Sequence, residues 1–469
     1  MAGKHTVEKI GGTSMSQFGE VMKNVIIANR KGADLYDRVF VVSAYGGITN
    51  LLLEDKKTGA PGVYGHFAQN SKEWPAALEK VRKRMLDYNR SFESLGLVQA
   101  AADAFVNERM DGIRDCLNDL LRVGSFGHFK EDDYLPPTRE FLAAVGEAHS
   151  AYNSVLILRR HGVNARFIDL TGWKEAETYG FDEMILRAFK DVDFSCELPI
   201  VTGYVKYGDG IMTIFDRGYS EITFSKVAVL TQAREGIIHK EYHLCTGDPV
   251  LVGKDRVKVI GNTNFDIADQ LSDLEMEAIH AKASKEMENC RIPIRVKNAF
   301  EPEHPGTLIS HDYVSPLPRV EMICGRDDLL AIEVFDSDMV GQCGYDYKLT
   351  KSLYETGISY IAKNTNANTI THYVPEKSKN IARCVELMKA TFPVAEITIK
   401  EVALISVIGS NMQIPGFLSR SANALAREGV NVLALDQCMR QVNIQFIVER
   451  GDFDRAQLAL HRELVETAE

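Results

Sequence analysis

His5-Thr6-Val7-Glu8-Lys9-Ile10-Gly11-Gly12-Thr13-Ser14 is the stretch from which the fold is read. Six residues of strand character end at a glycine pair, and Thr13-Ser14 stand where the cap of a following helix belongs. That helix is expected from Phe18 to about Arg30. A fully apolar strand, Val39-Phe40-Val41-Val42, follows and runs into the loop Ser43-Ala44-Tyr45-Gly46-Gly47. Strand, glycine-rich turn, helix, buried strand is the opening of an α/β layer fold with a mainly parallel sheet.

Outward from this opening, Asp55 to about Leu121 is polar and helical, an excursion from the sheet that begins as loop around Gly59-Ala60-Pro61-Gly62. The alternation resumes with a helix from Phe141 to Arg160 and strands at Ala165–Asp169, Pro199–Tyr204, Met212–Phe215 and Arg291–Val296. A helix is expected over Ser220–Arg234. Glu301–Thr307 is turn-rich and Ser310–Val320 reads as a linker. Beyond it the chain nearly repeats itself. Strands at Leu329–Phe335, Ile358–Ala362 and Thr369–Val374 alternate with helices Tyr345–Glu355 and Lys377–Ala390. Strands at Glu401–Ile408, Val430–Leu435 and Val442–Val448 then alternate with helices Gly416–Glu428 and Phe453–Leu464. Two β-α-β-β-α units of this size make a ferredoxin-like pair, each small enough to need a partner for its open edges.

The bulk properties narrow the function classes. At 469 residues two or three domains are expected. A net charge of −11 disfavours generic binding to nucleic acid or anionic membranes. The eight cysteines are scattered, with no C-x-x-C pair and no Cys/His metal spacing, and no apolar run reaches membrane-spanning length. With no signal peptide, the expectation is a cytoplasmic protein without structural zinc.

Four loops carry candidate chemistry. In Lys9–Ser14 the glycines allow backbone N–H groups near phosphate oxygens, and Lys9 can neutralise a transferring phosphoryl group. It is not the G-x-x-x-x-G-K-[ST] loop, and an ordinary strand-to-helix turn remains open as a reading. Asp216-Arg217-Gly218-Tyr219-Ser220-Glu221 combines a guanidinium fork suited to a carboxylate, a turn glycine and a potential helix cap, or is a solvated helix start. Ser43 to Asn50 is a third loop at a strand end, functional or a plain turn. Glu147 follows Gly146 in an otherwise apolar stretch, and faces either solvent or the amine of a ligand. The run Glu131-Asp132-Asp133 reads as a solvated loop. His239 and His243 give no metal constellation.

Taken together and in order, these loops resemble the aspartate kinases over essentially the whole chain. The K-F-G-G-T-S start of that family is similar to Lys9–Ser14, its second loop to Ser43–Asn50, its glycine-glutamate pair to Gly146-Glu147 and its T-G-[FY] strand end to Thr202-Gly203-Tyr204. G-R-G-G-S-D aligns with Asp216–Glu221, T-x-D-P with Thr246–Pro249 and P-G-T-L with Pro305–Leu308. Val402–Gly409, Pro415-Gly416 and Gly429–Val432 look like the second regulatory ACT unit. There are departures: Glu221 replaces Asp, Tyr219 replaces a glycine, Ile238-His239-Lys240 stands where W-T-D is usual, and a usual lysine falls near Glu277, although His280 is retained. These variants, with the K-I-G-G-T-S-M start, look like the branch associated with ectoine synthesis.

The resemblance implies a three-layer α/β/α kinase domain over 1–315 and two ferredoxin-like ACT domains over 325–398 and 399–469. It implies ATP-dependent phosphorylation of the L-aspartate side chain, with Mg²⁺ carried by ATP and no metal ligands from the protein. Lys9, Glu221 and Arg217 become the catalytic set. Lys9, Gly11, Gly12, Thr13 and Asp248 would hold ATP phosphates, and Ser43, Thr49, Glu147, Arg217, Gly218 and Ser220 the aspartate. Met412, Gln413, Ile414, Pro415, Gly416, Asn431 and Val432 would receive a threonine or lysine effector, in a homodimer or larger homo-oligomer. The alternatives are another amino-acid kinase of this fold, or a non-catalytic amino-acid sensor whose front half has diverged.

Overall fold

In the computed structural model of the chain, residues 3–467 are described apart from 209, 216–217, 273 and 275–278. The chain divides into two units, Met1–His243 with Ile279–His311, and Leu244–Ala278 with Asp312–Glu469.

The first unit is built on strands β1 (Thr6–Ile10), β2 (Arg38–Val42), β3 (Ala165–Ile168), β4 (Leu198–Thr202) and β5 (Glu235–Lys240). They lie in the order β3-β4-β2-β1-β5, all parallel, and Ile294–Asn298 adds parallel to β5. Thr307–Ser310 closes this run antiparallel to Ile294–Asn298. β1 is central and buried along its whole length. The long helix Glu131–Arg160 packs on β3 and β4, and Tyr219–Leu230 on β1. The excursion is helical as expected, over Val63–Ala68, Trp74–Ser91 and Gln99–Gly124.

Because side chains alternate along a strand, Glu8 and Lys9 point to opposite faces of the sheet. On the Glu8 face the Arg38 guanidinium grips the carboxylate with two bonds, Nε to Oε1 at 2.7 Å and Nη2 to Oε2 at 3.1 Å. His239 Nε2 lies 2.7 Å from Oε2. The remaining Arg38 donors reach the carbonyls of Ile26 (2.7 Å) and Val25 (2.8 Å). Those carbonyls lie in a π-helical turn, Met22–Ile26, that interrupts the expected α-helix after Val21.

Several sequence expectations change. Met212–Phe215 belongs to a helix, Ile211–Phe215, in which the β-branched apolar pattern of a strand is overridden by its surroundings. Glu131-Asp132-Asp133 is the first turn of the long helix, where carboxylates complement the helix dipole. Thr13 and Ser14 lie inside a short helical turn, Gly12–Met15, whose N-cap is Gly11 without a side-chain cap, and Ser14 Oγ instead donates to Glu241 Oε1 at 2.7 Å. Ser220 lies within the helix that it was expected to cap; the N-cap is Gly218.

The second unit holds a six-stranded antiparallel sheet in the order Ala362–Thr365, Thr369–Pro375, Arg319–Phe335, Glu396–Ser410, Asn443–Glu449, Val432–Asp436. The two expected units are therefore joined into one sheet through their first strands, which are long: 17 residues for Arg319–Phe335 and 15 for Glu396–Ser410. The strand expected at Ile358–Ala362 begins at Ala362, and the last two residues of the expected linker Ser310–Val320 already belong to the long strand. One core sets Leu349, Cys384 and Met388 against Ile332, Val334 and Ile370. A second sets Phe417, Leu425 and Leu460 against Ile405, Phe446 and Val448. Ile260, Ile267 and Leu271, from the segment before Ala278, pack with Met322, Cys324 and Leu404 in a third cluster.

Burial alone would push the Glu8 carboxyl up, but the Arg38 guanidinium and the His239 ring outweigh it and hold the carboxyl far below the usual range. Its contribution to stability is therefore full above the unfolded-state value near about 4.3 and falls away as the pH drops below it. Glu8→Gln, which leaves Arg38 buried and half-paired, is expected to cost about 3–5 kcal/mol at pH 7. The difference from the wild type should shrink below about pH 4, as read from unfolding midpoints at the two pH values.

Candidate active site

The opposite face of β1 presents Lys9, buried, at the carboxyl end of the strand. Its Nζ lies 3.1 Å from Glu221 Oε1. Glu221 comes from the first turn of helix Tyr219–Leu230, and its Oε2 accepts the His280 backbone N–H at 2.5 Å. Burial would raise the Glu221 carboxyl, yet Lys9, then Lys240, then the His280 N–H pull it below its ordinary value. The carboxylate is thus held ionised between cations.

Glu147 projects from the long helix into the same neighbourhood and is almost fully buried. Its carboxyl is pushed well above the usual range by burial, against the smaller pull of Lys9 and a hydrogen bond from the Tyr219 hydroxyl. Oε2 is buried and without a hydrogen-bond partner. A desolvated carboxylate oxygen with nothing to accept from is a place for a cationic donor. Gly203, at the end of β4, makes room for this arrangement. A Cβ there would stand 2.8 Å from Ser220 Cβ, 2.9 Å from the Val42 carbonyl and 3.1 Å from Glu147 Oε1. Ser220 Oγ lies 3.3 Å from Ser43 Oγ, so two loops that are distant in sequence meet at this point.

The two turn glycines differ in what they permit. A Cβ on Gly12 would fall 2.6 Å from the Ala44 carbonyl oxygen, so Gly12 allows the first and second loops to touch. A Cβ on Gly11 would meet no atom within 4 Å, so open space adjoins the backbone beside Lys9. Thr13 is exposed next to it, and Thr49 sits half-buried in the helix Ile48–Leu52.

The structure thus brings Lys9, Glu147, Ser43, Gly203, Ser220 and Glu221 together. Arg217, Asp216 and Glu277 lie outside the described residues. Asp248 belongs to the second unit, where its Oδ1 accepts the Val250 N–H at 2.8 Å in a local turn. In the same unit Met412 is buried, and Gly416, at φ +114°, is the N-cap of helix Phe417–Arg427. Gln413 Nε2 donates to the Arg440 carbonyl at 3.2 Å, Ile414 is exposed, and Asn431 and Val432 lead into the strand Val432–Asp436. Sequence reasoning missed the Tyr219 hydroxyl as a partner of Glu147, having taken Tyr219 only as a bulky substitute for glycine. It also missed Glu241 as the anchor of Ser14. Among the described residues no three His, Cys, Asp or Glu side chains converge as a metal-ligand set. No helix among them is long and apolar enough to cross a membrane.

Residues 4–298, which carry the buried lysine at a strand end, the open glycine turn and the Glu221 carboxylate that joins Lys9 to the His280 N–H, match the Amino acid kinase family, an α/β phosphotransferase class, and residues 405–464 match an ACT domain. The chain is 51% identical over 464 residues, covering 98% of both sequences, to "Aspartate kinase Ask_Ect" of Stutzerimonas stutzeri. The protein belongs to the aspartate kinases. Its fold is that of Escherichia coli aspartokinase III, solved with aspartate and ADP in an R-state (TM-score 0.72, 17% identity, 98% of this chain and 99% of that one). The same enzyme solved with lysine and aspartate in a T-state gives a TM-score of 0.73 at 18% identity, over 99% of this chain and all of that one.

The contrast between the glycines gives a stability prediction. Gly12→Ala forces two backbones apart and should cost about 1–3 kcal/mol. Gly11→Ala, whose φ of −71° suits any residue, should leave the melting temperature near that of the wild type. Thermal unfolding of the two variants side by side checks this.

Proposed function

We propose that this chain transfers the γ-phosphoryl group of ATP to the side-chain carboxylate of L-aspartate, giving 4-phospho-L-aspartate and ADP. The observation that carries this reading is the pairing, in one buried site, of Lys9 held 3.1 Å from Glu221 with Glu147, which has a carboxylate oxygen left without a partner. One cation suits a phosphoryl group, and one buried carboxyl oxygen without a donor suits an ammonium group, whose charge would hold that carboxyl ionised. The complete-length similarity to a named aspartate kinase, and the aspartate and ADP bound by the fold neighbour, support it.

Lys9 and the Gly11 and Gly12 amides would hold the terminal phosphates, with Thr13 beside them and Asp248 assigned to the nucleotide by motif. Arg217 would clamp the α-carboxylate and Glu147 the ammonium of aspartate. Ser43, Thr49, Gly218 and Ser220 would line that pocket. The open space at Gly11 fits a phosphate oxygen. Mg²⁺, bound through ATP, would neutralise phosphate charge. The chain's own work is positioning and charge stabilisation, because the attacking carboxylate is already ionised at neutral pH and needs no base. Aspartate kinase activity in a cytoplasmic enzyme, with catalytic domain 1–315 and ACT domains 325–398 and 399–469, is the overall reading. The name of the 51% identical relative supports an ectoine-branch role.

Lys9→Ala should lower kcat about a hundredfold or more, since its charge matters most where charge develops. Gly11→Ala should raise the KM for ATP. Glu147→Gln should raise the KM for aspartate selectively, by about tenfold or more if a charge-assisted contact of about 1.5–3 kcal/mol is lost. Steady-state kinetics in an ATP-dependent hydroxamate assay reads all three, and an equal effect of Glu147→Gln on both substrates removes its assigned role.

For the second unit we propose self-association and control by an amino acid. Tyr347, Tyr354 and Met439 are large apolar side chains at least 70% exposed in that unit, and they support a covered interface between copies. The loop Met412–Gly416 with Asn431 and Val432 would receive threonine or lysine, and the lysine-bound neighbour supports effector binding of this kind. The full-length enzyme should be at least dimeric by light scattering and lose velocity on adding one of these amino acids. A monomer indifferent to both defeats this part.

A further inference from the structure

Tyr219 stands where the aspartate kinases usually have a glycine, and it is buried at the first turn of helix Tyr219–Leu230. Three consecutive residues of that turn serve three different groups. Glu221 meets Lys9, Ser220 meets Ser43 Oγ at 3.3 Å, and the Tyr219 hydroxyl donates to Glu147. Glu147 Oε2 has no partner, so this bond falls on Oε1. The Tyr219 ring is braced in turn. It meets the Tyr204 ring edge to face, with centroids 5.7 Å apart and planes at 77°. Tyr204, two residues past β4, donates its hydroxyl to Glu140 Oε2 at 2.8 Å, and Glu140 Oε1 accepts the Thr213 N–H at 3.0 Å. Glu140 and Glu147 lie two turns apart on one face of the long helix. The path therefore closes, from that helix through Tyr204 and Tyr219 and back to it, and none of its four side chains belongs to a residue more than 9% exposed.

We propose that Tyr219, braced by Tyr204, is a positioning residue that fixes the Glu147 carboxylate with one oxygen presented to the substrate ammonium; this rests on the aspartate reading above. The last torsion of a glutamate side chain is broad and nearly two-fold, so a carboxylate without a donor has no fixed plane. A hydroxyl held on a packed ring gives it one, at Oε1, and leaves Oε2 to the ligand. Glycine at this position supplies neither ring nor hydroxyl, so the device belongs to chains that carry the tyrosine. The charged and titratable groups around Glu147 are Lys9 from β1, itself paired with Glu221, the Tyr204 phenol beyond β4, and Tyr219. Of these, Lys9 and the Tyr219 hydroxyl favour the ionised carboxyl.

The test uses the full-length chain as Tyr219→Phe, Glu147→Gln and the two combined, with kcat and both KM values followed from acid to neutral pH. Tyr219→Phe keeps the ring and removes the hydroxyl. It should raise the KM for aspartate about tenfold, the loss expected for one hydrogen bond to a charged group, and move kcat and the KM for ATP by less than about threefold. Added to Glu147→Gln, it should change the KM for aspartate by less than about threefold, because both substitutions act through one carboxylate. A protonated Glu147 has no charge for the ammonium, so the KM for aspartate should rise as the pH falls. The hydroxyl favours the ionised form, and its loss should carry that rise about one unit toward higher pH for a tenfold effect. On the Glu147→Gln background the profile should not move. A KM for aspartate less than about threefold above wild type in Tyr219→Phe overturns the proposal. So does an equal rise in both KM values, or a full effect that persists without the Glu147 carboxylate. If the wild type phosphorylates no aspartate, the aspartate reading fails and takes this proposal with it, whereas an active wild type indifferent to Tyr219→Phe removes the proposal alone.

Discussion

Two opposite charges in consecutive positions of a buried central strand impose the constraint that organises the first unit. A strand sends neighbouring side chains to opposite faces, so Glu8 and Lys9 cannot neutralise one another and each face must supply its own counter-charge. On one face Arg38 and His239 meet Glu8; on the other, Glu221 meets Lys9. The partners come from β2, β5 and helix Tyr219–Leu230, so satisfying the two charges fixes the strands on either side of β1 and the helix above it. The cost of leaving either charge unpaired exceeds that of most single packing defects, which makes this arrangement a determinant of register as well as of chemistry.

The same constraint explains why the site is both rigid and incomplete. Lys9, Glu221 and the His280 N–H satisfy one another, and the Gly12 approach to Ala44 and the Gly203 approach to Ser220 leave no slack in the loops. Glu147 is the exception, buried at the edge of the cluster with an oxygen unused. Strain or incompleteness of this kind belongs where a ligand is to complete the set.

Much of the fold was legible because periodicity and glycine punctuation agree with tertiary structure over the strands that matter. β1, β2, β3 and β4 fall where alternating or fully apolar runs end in turns. The site loops were legible from their order, since glycines, hydroxyls and charges recur at strand ends. What escaped the sequence was pairing across distance. Nothing local to Ser14 announces Glu241, 227 positions away, as its acceptor. Nothing local to Tyr219 tells that its hydroxyl reaches Glu147 rather than solvent. Ile211–Phe215 misled because a short apolar run carries no length by which to tell strand from helix. The π turn at Met22–Ile26 has no sequence signature; the carbonyls of Val25 and Ile26 in it accept from the Arg38 guanidinium, which comes from β2.

In the second unit the long strands Arg319–Phe335 and Glu396–Ser410 lie side by side, each shared between both halves of one sheet. On the ribosome this becomes a question of timing. Arg319–Phe335 emerges with Thr369–Pro375 as its first available neighbour, while its other edge has no partner until Ser410 has been made. At about 5–20 residues per second that interval lasts seconds, long on the scale of hairpin closure. The nascent chain therefore spends part of its synthesis with an apolar β edge open to other chains, and its yield in the cell should depend on chaperone supply.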